Sequence, residues 1–261
     1  MLEFFVIFFI AFVVSIISGI LGLGGAVILI PAYLYLPQFF GINFLDIKTI
    51  SGLTSVQVFA SSLMGVLIHK KHGSVEKNLL YFIGIPMALS ALLGALFSKY
   101  VHGDVILLTF ALMAIAGAAL MLVKRNQNAD SINSEKFEFN KTIAFIIAIV
   151  VGLFGGMVGA PGAFLLAPLM ISVLKIPIRI TIGSTLGIIL FTSFTASVGK
   201  IIAGQVDFLI TSYAVLGSLI GVSIGSNLSH KIHPTYLRYA LAIVIIGIAI
   251  ERRHAAGMVF R

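Results

Sequence analysis

Apolar residues occupy this chain in long blocks, and polar or charged residues interrupt them only in short clusters. Reading between the charges gives eight blocks, at about 4–36, 49–68, 79–98, 105–123, 142–174, 182–199, 208–229 and 237–250. A helix that crosses a bilayer needs about 20 apolar residues, and all but the first and fifth blocks suit a single crossing. Those two are too long. A helix of about 33 residues would extend about 50 Å, against a hydrocarbon core of about 30 Å.

Each long block carries the same motif near its middle. The first copy contains Gly19, Gly22, Gly24, Gly25, Ala26 and Pro31; the second contains Gly156, Gly159, Pro161, Gly162, Ala163 and Pro168, 137 positions later. Both fit G-x-x-G-x-[GP]-G-A-x-x-x-x-P. Glycine and proline interrupt helices, and a bilayer tolerates an interruption only where protein or a wet cavity covers the freed backbone groups. Each long block therefore predicts two helical pieces joined at a break. A matched pair of interrupted apolar segments points to a transporter's binding site. A half-helix starting near Gly25 or Gly162 would turn free N–H groups and a positive dipole end toward an anion. The competing reading is that these small residues only let helices pack closely.

The repetition continues beyond the motif at an offset of 131. Lys48 aligns with Arg179, Gly52 with Gly183, Thr54 with Thr185, Ser62 with Ser193, Gly73 with Gly204, Glu76 with Asp207, Gly94 with Gly225, Ser98 with Ser229 and His102 with His233. The expectation is an all-α polytopic membrane protein of two homologous repeats, 1–123 and 142–261, joined by a polar linker at 124–141. Two topologies fit: every block crosses once, or the first and fifth each enter and return, or cross twice. Lysine and arginine fall between the two sides equally unevenly in both, so the positive-inside rule does not choose. The returning arrangement makes the halves inverted repeats, and long broken blocks favour it.

Composition narrows the class. Of 261 residues, 59% are hydrophobic and 10% charged, with a mean hydropathy of +1.14; a soluble domain of this size does not need so much apolar surface. Absence of cysteine excludes disulfides, thiolate metal sites and cysteine nucleophiles. The net charge of +8 sits in short runs between blocks, which reads as membrane orientation and headgroup contact and not as nucleic-acid binding. Met1-Leu2-Glu3-Phe4 lacks the basic start of a cleaved signal peptide, so the first block is expected to be retained.

Candidate binding residues are Gly24, Gly25 and Ala26 at the first break and Gly159, Gly162 and Ala163 at the second. Thr54 and Gln57 in block two and Ser184 and Thr185 in block six join them. Serine and threonine often bond back to the preceding turn. Gln57 is sharper, because an amide inside a membrane is costly without partners; Ile188 stands at its counterpart position, so a site using it is asymmetric. Gly217, Gly221 and Gly225, spaced by four like Pro86, Ser90 and Gly94, read as a helix-packing stripe. No ionisable side chain falls in the body of a block; Lys48, Arg179, Lys200, Asp207 and Arg238 stand at ends. A proton-relay chain is therefore not visible. Lys48 and Arg179 read as headgroup contacts, no metal or cofactor motif appears, and the lack of buried acid–base pairs argues against an enzyme.

The twin motifs and the duplication resemble the sulfite exporter TauE/SafE family, also called the 4-toluene sulfonate uptake permease family, over nearly the whole chain. Gly22, Gly24, Gly25, Pro31 and Leu34 match its glycine-rich run, with Ala26 in place of a third glycine. Gly159, Gly162, Pro168 and Leu169 match in the second half, while Pro161 and Ala163 depart. The resemblance implies a multi-pass transporter of a prokaryotic inner membrane for small organosulfur or organic anions, such as sulfite, sulfonates or sulfoacetate. The alternative is a channel for a small solute, with a fixed filter at the two breaks. The resemblance does not specify oligomeric state. Leucine at Gly25 or Gly162 should separate binding from packing: transport lost from a folded protein marks a binding break, and lost folding marks a packing position.

Overall fold

The protein is described here from a computed structural model covering residues 2–21, 26–42, 45–69, 76–122, 139–160 and 162–229. Gly22, Gly24 and Gly25 of the first break, most of the linker and the eighth block lie outside the described residues. Every regular element among the described residues is helical: α1 (Leu2–Leu21), α2 (Ala26–Tyr35), a 3-10 turn (Leu36–Phe40), α3 (Ile47–His69), α4 (Lys77–Leu79), a π-helical turn (Leu80–Gly84), α5 (Ile85–Phe97), α6 (Gly103–Leu122), α7 (Lys141–Val158), α8 (Ala163–Ser172), α9 (Ile178–Ile202) and α10 (Phe208–Ser229). Seven of the described helical stretches are long and apolar enough to cross a membrane. The second long block divides at its motif, into α7 and α8; α1 and α2 lie on either side of the first motif.

Local chemistry sets the ends. The Asn140 side chain accepts from the N–H groups of Thr142 and Ile143 at 3.0 and 3.1 Å, and Asp207 does the same for Leu209 and Ile210 at 3.0 and 3.2 Å. Both use a carboxyl or amide oxygen to pair donors that a helix start leaves open. Along α5 and the turn before it, Tyr81, Ile85, Leu89, Leu93 and Phe97 are exposed, while Met87, Ser90, Ala91, Gly94 and Ala95 are buried. That helix turns its large apolar residues to the lipid and its small ones inward. Association inside a bilayer depends on close packing, because lipid tails are as apolar as leucine.

The small residues meet across the two halves. Gly217, Gly221 and Gly225 of α10 lie in order against the carbonyl oxygens of Phe8, Phe12 and Ile16 of α1. Gly152 and Gly156 of α7 lie against those of Met87 and Ala91 of α5, and Ser90 donates to the Ala148 carbonyl at 3.3 Å. The stripe is a packing stripe, as its spacing predicts. Each half's first helix thus packs on the other half's third.

These contacts also give direction. The rising order of both numbers shows that α1 and α10 run in the same sense, as do α5 and α7. Thr195 donates to the Ala88 carbonyl at 2.7 Å, and Gly199 faces Leu92, so α9 runs in that same sense as α5. By contrast, α3 and α9 run oppositely: Phe59 meets Phe194 with ring centroids 5.4 Å apart, Ser62 meets Ser193 at 3.3 Å, and Gly65 faces Leu186. Ser62 and Ser193 are themselves repeat counterparts.

Substituting Gly221 by Leu should strip α10 from α1, because any Cβ there runs into the Phe12 carbonyl and lies 3.0 Å from the Ser15 Cβ. Overpacking of this kind typically costs about 1–3 kcal/mol. A lower unfolding midpoint in detergent is the expected result, with no comparable loss for Leu89→Ala on the lipid face.

Candidate functional site

The second break begins where α7 runs into Gly159, whose φ of +81° is left-handed. Its N–H donates to the Gly156 carbonyl at 3.3 Å, and that of Ala160 donates to Gly155 at 2.9 Å, closing the helix end. No side chain fits at Gly159, since a Cβ would strike the Ser51 backbone of α3. Gly162, at φ +61°, precedes α8, and its N–H donates to the Ala160 carbonyl. A Cβ on Gly162 would lie 2.6 Å from Val151 Cγ1 and overlap the Met87 methyl. Val151 and Met87 both stand near the middle of their spans, so α8 starts deep inside the bundle. Its first N–H groups form the positive end that any helix start carries. From there α8 passes Phe110, whose ring lies 6.2 Å from that of Phe164, and Ser172 donates to the Leu120 carbonyl at 3.2 Å.

The other residues singled out above take different places. Gly24 and Gly25 fall outside the described residues. Ala26 and Ala163 open α2 and α8. Thr54 and Thr185 are buried repeat counterparts that donate to the Ile50 and Thr181 carbonyls one turn back. Ser184 is buried and accepts from the Glu76 N–H at 3.3 Å. Gln57 is buried and held on two sides: the Tyr33 hydroxyl donates to its Oε1 at 2.6 Å, and its Nε2 donates to Ser15 Oγ at 3.3 Å. That network joins α1, α2 and α3, and it does not touch the residues of the second break.

The sequence profile of the family described as "Sulfite exporter TauE/SafE" matches residues 7–252. The chain belongs to that family. Among its relatives is the probable membrane transporter protein YunE of Bacillus subtilis, 23% identical over 96% of this chain and 97% of that protein. A second Bacillus subtilis relative, the probable membrane transporter protein YdhB, is 25% identical over 90% and 94% of the two chains. A probable membrane transporter protein of Methanocaldococcus jannaschii is 22% identical over 90% of each. No solved structure matches. This TauE/SafE protein is therefore a multi-pass transporter of the cell membrane.

One part of the TauE/SafE chain was not anticipated. Lys200, read above as an end-of-block lysine, does stand in the last turn of α9, yet it is 0% exposed. Its ammonium carries three N–H donors and lies within hydrogen-bonding distance of four oxygens: Ser51 Oγ, Ser98 Oγ and the Met157 carbonyl, each at 2.8 Å, and Gln205 Oε1 at 2.9 Å. Met157 is the residue before the last of α7, so a cation rests on that helix's negative end, next to the break. A signal for it existed: its repeat counterpart is His69, so both halves place a basic residue there. Lys48, by contrast, lies toward the surface and donates to the Lys99 carbonyl at 3.1 Å, as a boundary lysine does.

The tight seat of Gly162 also corrects the leucine test given above. Leucine there disturbs packing whatever the break binds, so the substitution does not separate the two readings. The Gln57 network offers a cleaner one. Tyr33→Phe and Gln57→Leu should each destabilise the protein by about 1–3 kcal/mol, by stranding a buried partner. The double variant should lose less than the sum, with a coupling of about 0.5 kcal/mol or more in equilibrium unfolding.

Proposed function

We propose that this transporter carries small organosulfur or organic anions of the sulfite, sulfonate or sulfoacetate class outward, by alternating access around the two breaks. The observation that carries the reading is the second break itself: α7 ends its span at left-handed Gly159, and α8 begins deep in the bundle after left-handed Gly162, both glycines belonging to a motif that occurs twice. Paired half-helix starts attract negative charge without a charged side chain. Gly24, Gly25 and Ala26 act with Gly159, Gly162 and Ala163 as the anion's seat, and Thr54, Gln57, Ser184 and Thr185 line the approach.

The halves, 1–123 and 142–261 around the linker 124–141, are inverted repeats in this reading. Several contacts support it. Helices α5, α7 and α9 share one sense, α3 opposes α9, and α1 follows α10. The five-residue connection Ala203–Asp207, with Gly204 at φ +70°, is short enough to send α10 back across the membrane in the sense opposite to α9. On that path α1, α3 and α10 oppose α7, α9 and α5, their counterparts. Rocking of one half against the other around a fixed site is the motion such repeats favour.

Energetics favour the outward direction. With the cytoplasm negative, a monovalent anion leaving the cell gains about 2.3 kcal/mol per 100 mV, and a dianion about twice that. Export then needs no coupling ion.

Efflux of labelled sulfite and of methanesulfonate from proteoliposomes tests the proposal. Saturable efflux, accelerated by a negative interior and by external unlabelled substrate, is the expected outcome. Flux without saturation or counterflow would move the reading to a channel with a fixed filter at the breaks, and no flux of either anion would overturn the substrate class.

A further inference from the structure

A buried ammonium normally meets a carboxylate, because an uncompensated charge in a low-dielectric interior is strongly unfavourable. Lys200 has none. The four oxygens in its reach are two hydroxyls, one carbonyl and one amide oxygen, drawn from α3, the end of α5, the end of α7 and the loop after α9. Beside it, Gln205 is 8% exposed and offers its Oε1 to both Lys200 and Ser98, while its Nε2 has no partner. One ammonium short of a negative charge and one amide short of an acceptor thus lie side by side near the end of α7.

We propose that Lys200 and Gln205 bind the transported oxyanion directly, Lys200 as its counter-charge and Gln205 Nε2 as a second donor. The inference rests on the anion-transport reading and names the side chains that would recognise the substrate. A sulfite, sulfonate or carboxylate group has two or more oxygens and can take both donors at once, as charge-assisted hydrogen bonds. It would replace the Met157 carbonyl at the ammonium, so the site holds a neutral stand-in set until the anion arrives. Ser51 and Ser98 keep the ammonium in place in either state. The α7 carbonyl end, freed from Lys200, would be the part that responds to binding.

Gln205→Glu discriminates between a binding role and a purely architectural one. The substitution keeps the side-chain length and puts a carboxylate where an amide oxygen already lies 2.9 Å from the ammonium. An architectural Lys200 is served at least as well by that ion pair, and transport continues. A binding Lys200 is neutralised and repels its substrate. The expected result in proteoliposomes is a KM for sulfite raised about tenfold or more, in a protein whose unfolding midpoint in detergent is not lowered. Lys200→Met is read in the same assay and should raise KM in the same direction.

A KM within about twofold of the parent protein in folded Gln205→Glu or Lys200→Met overturns the inference while leaving anion transport standing. Loss of folding in both variants assigns the pair to architecture alone and overturns it as well. Absence of flux in the unsubstituted protein removes the transport reading and this inference together.

Discussion

Close backbone approach between helices is the constraint from which the rest of this structure follows. In a bilayer the outside of the bundle is as apolar as its inside, so burial of leucine or phenylalanine does not choose one helix pairing over another. What does choose is the distance at which two helices can touch. Gly217, Gly221 and Gly225 bring α10 onto the carbonyl row of α1, and Gly152 and Gly156 bring α7 onto that of α5. With those pairs set, α3 and α9 are left to cross each other, and Ser62 comes to lie opposite Ser193. The glycine motif serves this same constraint at one end and a different one at the other. Gly19 and Gly156 are contact residues, and a Cβ on Gly19 would come within 2.9 Å of Val222 O and Ser226 N. Gly159 and Gly162 instead turn the chain.

Polar side chains inside the bundle divide by how their hydrogen bonds are met. Hydroxyls on α3 and α9 mostly return to their own helix: Ser55 to Ser51 and Gly52, Thr192 to Ile188 and Ile189, Ser197 to Ser193. Such groups make a helix polar on paper and nearly neutral to its neighbours. Gln57 and Lys200 have no such local outlet and must recruit other segments. Each therefore ties several helices together, and each is where a change in one segment is felt by the others.

Much of the fold was legible in the sequence. The predicted block 208–229 coincides with α10, and blocks 49–68, 79–98 and 105–123 match their helices within two residues. Charges and turns mark those ends well because they lie at the lipid boundary. Block six failed differently. Its predicted limits of 182 and 199 stopped at charges, yet α9 runs from Ile178 to Ile202 and carries Lys200 into the interior. The charge does stand in the last turn of its helix; what it did not reveal is burial, which four oxygens from distant parts of the chain make possible. The sequence showed the motif, its repetition and the glycine stripe, since each is periodic. It could not show which distant residues would meet Lys200 or Gln57, because those contacts arise only once α3, α5, α7 and α9 have assembled.

The exchange of partners between the halves has a consequence in time. Helix α1 is made first, but the surface that fits its backbone row is α10, made some two hundred residues later; α7, in contrast, finds α5 already waiting. Contacts that close so long a stretch of chain form late. For most of synthesis the small-residue face of α1 must rest against lipid or a passing neighbour. The second half is thus built onto a ready template, and its own last described helix completes the first. Assembly of this protein begins in its middle and finishes at its start.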